Sequence, residues 1–108
     1  MRIVIAGAGE VGTHLATLLT RDKHDIVLIT EDEQTKKTVC SKEDLLKVEG
    51  SPTSIAVLKE ANVENCRLFV AVTPDESRNM TSCMLAKKLG AEITVARVDT
   101  MEYMEPEN

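Results

Sequence analysis

Gly7, Gly9 and Gly12 form a G-x-G-x-x-G series straight after the apolar run Ile3-Val4-Ile5-Ala6, and an amphipathic pattern starts at Glu10. That spacing suits the binding of phosphate. Gly7 permits a tight turn off a strand, Gly9 lets the backbone approach a pyrophosphate with no Cβ in the way, and Gly12 lets a helix pack closely on the strand. The N–H groups of the helix's first turn, with the helix dipole behind them, favour negative charge. The candidate seat is therefore Gly7, Ala8, Gly9, Glu10, Val11 and Gly12. Its context, strand before and helix after, is what separates it from a chance match.

Other chemistries find little to use. Cys40, Cys66 and Cys83 are far apart, with no metal-ligand spacing between any two. Cys66 and Cys83 fall in apolar patterns and read as small buried hydrophobes. His14 belongs to the first helix, near its surface, and His24 to the turn after it; neither has a second ligand nearby. The chain carries 18 acidic and 13 basic residues, net charge −5, with one Phe, one Tyr and no Trp. A basic patch with stacking aromatics is missing, so nucleic acid is excluded as a partner. No apolar run approaches the ~18 residues of a membrane span. The N-terminal run breaks into glycines too soon for a signal peptide. The expected location is cytoplasmic.

The elements that must position the glycine loop alternate. Strand 2–6 leads into helix 10–21, on which Val11, Leu15, Leu18 and Leu19 make a core-facing stripe. Residues 26–29 form a continuous β-branched and leucine run, the pattern of a parallel strand buried on both faces. The segment 33–41 is polar and moderately helical, and 45–49 reads as the third strand. Ser51-Pro52-Thr53 opens a helix over 54–61, with Asn62 as a left-handed cap. Strand 68–73 follows, then helix 76–89 closed by Gly90, strand 93–98 and a short tail from Asp99. Such alternation predicts an α/β, Rossmann-like doubly wound parallel sheet of five strands, order 3-2-1-4-5, with helices on both faces.

With these elements go several sequence blocks: Ile5-Ala6-Gly7-Ala8-Gly9-Glu10-Val11-Gly12, Val48-Glu49-Gly50-Ser51-Pro52 and Val57-Leu58-Lys59-Glu60-Ala61. Leu68-Phe69-Val70-Ala71-Val72-Thr73-Pro74-Asp75-Glu76, Asn79-Met80, Ala86-Lys87-Lys88-Leu89-Gly90 and Ala96-Arg97-Val98 complete the set. Over residues 1 to about 103 the chain resembles the TrkA-type N-terminal domain, also called the RCK or KTN domain. The resemblance implies one nucleotide-binding domain over 1–108, from the N-terminal part of a longer protein. It also implies a cytoplasmic regulatory subunit of a Trk-type potassium transport system, peripheral to the inner face of the membrane. Such a subunit pairs as a homodimer, assembles into larger rings and gates an integral-membrane potassium channel or transporter.

For individual residues, the resemblance puts adenine-nucleotide phosphates over Gly7 to Val11 and the ribose against Thr30, the end of strand two. Thr73, Pro74 and Asp75 would lie along the nucleotide, and Arg97 would reach its phosphates. Thr73 also suits a strand-terminal cap and Asp75 a helix N-cap. Asn79, one turn into the helix, faces ligand or solvent, and Ser51 takes the place of an Asp common among relatives, next to adenine or ribose. Thr30 is the departure: an acid usually accepts the ribose hydroxyls there. Losing a charge-assisted bond worth about 1.5–3 kcal/mol lowers affinity about 10–100-fold unless Glu31 or Asp32 substitutes. Glu31 would point to the opposite face of an extended strand. Loss of the acid invites NADP only if a cation stands nearby, and Glu31, Asp32 and Glu33 come next, so NADP is disfavoured. The expected ligand is NAD or NADH, with ATP or ADP as the alternative. A dehydrogenase's cofactor-binding half is the competing function, but these residues show neither a substrate domain nor a histidine placed for proton transfer. A third reading is a structural dimerisation domain without ligand.

Overall fold

The computed structural model describes residues 1–7, 9–22, 24–31 and 45–98. Ala8, Asp32, the polar segment 33–41 with Cys40, and the tail from Asp99 lie outside the described residues. Strands β1 (Arg2–Ala6), β2 (Asp25–Thr30), β3 (Leu45–Glu49), β4 (Leu68–Ala71) and β5 (Ile93–Ala96) form one parallel sheet in the order β3-β2-β1-β4-β5. This is the doubly wound, Rossmann-like order expected from the alternation.

The three central strands are buried on both faces, because helices cover both. Helix α1 (Glu10–Arg21) packs on one side, where Ala16 meets Ile3, Ile5, Ile26, Leu28 and Val70. Helices α2 (Ile55–Glu60) and α3 (Glu76–Leu89) cover the other. There Leu58, Cys83 and Ala86 pack with Val4, Val27, Ile29 and Phe69. Phe69, the chain's one phenylalanine, is fully buried. Cys66 and Cys83 are buried as read, and burial pushes the Cys66 thiol up to about 11 and raises that of Cys83.

Element bounds follow the sequence signals closely, with three differences. Strands four and five stop at Ala71 and Ala96, two residues short of the runs 68–73 and 93–98, because the chain turns at the sheet edge to form the crevice. A 3-10 turn over Val63–Asn65 had no sequence signal beyond Asn62, whose φ of +61° is the left-handed conformation its type permits. The stripe on α1 is also corrected. Val11 and Leu18 are 46% and 43% exposed, while Gly12 and Ala16 are buried and Leu15 and Leu19 partly so. Periodicity counts large apolar groups, whereas here the smallest residues let the helix come closest to the sheet.

Candidate functional site

Two turns at the carboxyl edge of the sheet form the candidate site: Gly7 and Gly9 between β1 and α1, and residues 72–75 between β4 and α3. Gly7 has φ +111°, which only glycine adopts without strain. Its N–H donates to the Ile29 carbonyl at 2.9 Å. A Cβ on Gly7 would stand 2.9 Å from the Thr73 backbone nitrogen, so the two turns press directly on each other. A Cβ on Gly12 would lie 1.8 Å from the Gly7 carbonyl oxygen. That glycine admits α1 to the turn itself, a tighter requirement than packing on the strand.

Gly9 differs from both. Its φ of −73° and ψ of −166° are open to any residue, and among the described residues no atom beyond its chain neighbours comes within 4 Å of where its Cβ would be. Neither backbone strain nor internal packing asks for glycine there. Gly9 also caps α1 without any side-chain hydrogen bond, in contrast to α2 and α3, where Ser54 and Asp75 accept from Val57 and Arg78 N–H groups. Glu10 and Val11 are exposed in the first turn of α1.

The β4–α3 turn is closed upon itself. Asn79 is fully buried and uses all four of its hydrogen-bonding capacities. Its Oδ1 accepts from the Thr73 N–H at 2.9 Å and the Thr73 hydroxyl at 2.6 Å. Its Nδ2 donates to the Thr73 carbonyl at 2.9 Å and the Arg97 carbonyl at 3.0 Å. Asn79 thus does not face solvent; it staples the end of β4 to the residue after β5. The Thr73 hydroxyl, committed to Asn79, also accepts from the Asp75 N–H at 3.2 Å. Asp75 caps α3 through its bond to Arg78 N–H, also 3.2 Å, and Pro74 is exposed between them. Arg97 follows β5 at the same edge, half-buried, its N–H donating to the Ala71 carbonyl at 2.8 Å.

At the β2 end, Thr30 is buried at 3% exposure, and its carbonyl accepts from the Gly50 N–H at 2.9 Å. Glu31 does turn to the face opposite Thr30, the side of α2 and α3. There its carboxylate meets Arg78 in a two-pronged ion pair, Nη1 to Oε1 at 2.5 Å and Nη2 to Oε2 at 3.0 Å. Arg78 Nη2 also donates to Ser51 Oγ at 3.2 Å, and Ser51 in turn lies 2.8 Å from the Thr53 hydroxyl. The bonds to the Arg78 guanidinium hold the Glu31 carboxyl below its ordinary range. A lowered folded value means the pair is fully present above the unfolded value and is lost as pH falls through the folded one. Sequence reasoning missed Arg78. One signal was available: a cation in the first turn of a helix opposes the dipole and asks for a partner. Among the described residues no cluster of His, Cys, Asp and Glu could hold a metal ion.

A five-stranded parallel sheet in the order 3-2-1-4-5, with a glycine turn at its carboxyl edge, defines the Rossmann-like class. Residues 3–106 match the TrkA-N domain family, and the chain belongs to that family. It is 42% identical over 105 residues to a Trk system potassium uptake protein TrkA homolog of Archaeoglobus fulgidus, covering 97% of this chain and 24% of that protein. A second, of Methanothermobacter thermautotrophicus, is 37% identical over 105 residues, 97% of this chain and 49% of that protein. The chain therefore spans about a quarter to a half of these relatives.

Among solved structures, the GsuK channel bound to NAD superposes with TM-score 0.74 at 22% identity, over 95% of this chain and 19% of that one. The AMP-bound C-terminal domain of Kef from Shewanella denitrificans gives 0.73 at 16%, over 88% and 57%. A short-chain dehydrogenase/reductase of Veillonella parvula in complex with NADP gives 0.68 at 23%, over 86% and 45%. At these identities the likeness establishes the shared fold.

Proposed function

We propose that this domain binds an adenine nucleotide on the β1–α1 turn and uses the bound state to regulate a membrane potassium channel or transporter of the Trk type. The observation that carries the reading is Gly9: a glycine that neither its dihedral angles nor any contact among the described residues demands, at a start of α1 with no side-chain cap, in a chain of the TrkA-N family. A backbone kept bare towards the outside suits a pyrophosphate, and the first-turn N–H groups of α1 suit its charge. Gly7 and Gly12 shape the seat, and Arg97 stands at the same edge to meet phosphate. Thr73, Pro74 and Asp75 would border the nucleotide through their backbone and the turn they build.

The nucleotide is NAD or NADH, with ATP or ADP as the alternative on the same phosphate seat. The named relatives are potassium uptake proteins, and the superposing structures hold NAD, AMP or NADP. Regulation then requires that ligand favour one assembly state, so the domain acts within a homodimer or larger ring against an integral-membrane subunit. Such a regulator would act at the cytoplasmic face of the membrane. No helix among the described residues is long and apolar enough to cross one. The competing oxidoreductase reading rests on the shared fold alone.

Calorimetric titration of the chain with NAD, NADH, ATP and ADP tests the reading. Binding of at least one, weakened about 10-fold or more by Arg97→Ala, is the expected result. If none binds, the regulatory-nucleotide reading falls. Turnover of an alcohol or hydroxy acid with NAD would establish the oxidoreductase instead.

A further inference from the structure

The amino edge of the sheet, opposite the two turns described above, carries its charges in an ordered row. Strand register sets Arg2 beside Asp25, while Arg67 and Glu92 each stand one residue before the matched positions Ile3, Leu68 and Ile93. The Arg67 N–H donates to the Arg2 carbonyl at 3.0 Å, and the Glu92 N–H to the Cys66 carbonyl at 3.3 Å. Across four strands the row reads Asp25, Arg2, Arg67, Glu92: acid, base, base, acid. Two-residue alternation from Val27, Val4, Phe69 and Ala96 sends these side chains to the face of α2 and α3. On that edge Arg2, Cys66, Arg67 and Glu92 line a cavity of about 340 Å³ together with Glu64 and Asn65 of the 3-10 turn. We propose that this cavity binds a small inorganic oxyanion, phosphate or sulfate, between the guanidinium groups of Arg2 and Arg67. The site is independent of the nucleotide reading, which concerns the carboxyl edge.

The two arginines differ in what they already hold. Arg67 Nε lies 2.9 Å from Glu92 Oε2, and Lys87 Nζ donates to the carbonyl of that same glutamate. Arg2 is half-buried and has no ion pair or side-chain hydrogen bond among the described residues. Asp25, its neighbour on the other side, is exposed and makes no ion pair with it. Like charges side by side on one face of a sheet repel and destabilise it. An anion between the two guanidinium groups turns that repulsion into charge-assisted hydrogen bonds, for which their planar N–H forks are suited.

The rest of the lining sets the kind of anion. The Cys66 thiol, raised to about 11 by burial, stays protonated at neutral pH and adds no competing charge. Glu64 is exposed on the 3-10 turn and opposes an anion, which holds the affinity to a modest value. No aromatic side chain lines the cavity, so a nucleobase has nothing to stack on, and a free oxyanion fits better than a nucleotide's phosphate. At about 30 Å³ per water molecule there is room for the oxyanion and part of its hydration.

Sodium phosphate titrated into the chain against sodium chloride, at constant ionic strength, tests the proposal by NMR of backbone amides and arginine Nε–H groups. Saturable shifts centred on Arg2, Cys66 and Arg67 are expected, with a dissociation constant of about 1 mM, and sulfate should act alike. Arg2→Gln should weaken phosphate about 10-fold or more. Without phosphate it should leave the melting temperature unchanged or higher, since no ion pair is lost. Arg2→Lys should recover only part of the affinity, because an ammonium lacks the fork. Glu64→Gln should tighten binding about 3-fold by removing the opposing charge. Circular dichroism checks that each variant is folded. Shifts without saturation, or a loss under two-fold in Arg2→Gln, overturn the proposal. Tighter binding of ADP than of phosphate at these same residues overturns the assignment to a free oxyanion. None of these outcomes bears on the nucleotide reading, which residues of the β1–α1 turn report separately.

Discussion

The two turns that meet at the carboxyl edge of the sheet solve the same problem in opposite ways. Each must end a buried parallel strand and start a helix, leaving several N–H groups without helical partners. The β4–α3 turn meets that need from within. Asp75 caps the helix, Thr73 and Asn79 exchange hydrogen bonds, and Asn79 reaches across to the Arg97 carbonyl. The β1–α1 turn has no side-chain cap, and at Gly9 its backbone is bare on the outer side. One turn is closed on itself and the other is open. The contact between them, Gly7 against Thr73, makes the rigidity of the first serve the second.

The comparison predicts a graded series of effects. Gly12→Ala should do the most damage, because the new methyl would fall 1.8 Å from the Gly7 carbonyl oxygen, a backbone atom that cannot step aside. We expect a loss of about 3 kcal/mol or more, or failure to fold, read by urea denaturation. A stability within 1 kcal/mol of wild type would mean that α1 is not held where this structure places it.

Asn79→Ala should come next. It leaves the Thr73 N–H and the Thr73 and Arg97 carbonyls without their partner, at a cost of about 2–4 kcal/mol in the same assay. Amide hydrogen exchange should show the loosening concentrated between β4 and the end of β5. Uniform loosening of the whole sheet would argue against a local staple.

Gly9→Val should affect stability least, by under about 0.5 kcal/mol, because the site has room and ordinary dihedral angles. Its nucleotide affinity should nevertheless fall about 10-fold or more as the branched Cβ blocks the approach. Stability lost with affinity unchanged would reverse the roles assigned to the open and closed turns.

Much of this was legible in the sequence. The bounds of β1, α1, β3 and α3 coincide with their sequence signals, since β-branched runs, a 3.6-residue period and the Gly90 stop each act through a few neighbouring residues. The capping role of Asp75 and the buried state of Cys66 and Cys83 are equally local. The working face of α1 was not, because Val11 and Leu18 satisfy the period as well as Leu15 and Leu19 do. A steric fact between residues 7 and 12 selected the small-residue face instead.

The polar partners were the least legible. Asn79 on a helix's first turns is compatible with solvent, ligand or core, and only the return of β5 beside β4 supplies the Arg97 carbonyl that completes its bonding. Arg78 and Glu31 are 47 positions apart. The sequence by itself determined the alternation of elements, the strand order and the glycine turn, because each depends on local conformation and on the few topologies such alternation allows. Which side chains close one turn, and which charges meet at the end of β2, only the tertiary structure decided. Those contacts join loops that the sheet brings together, and hydrogen bonds reach about 3 Å in space whatever the distance along the chain.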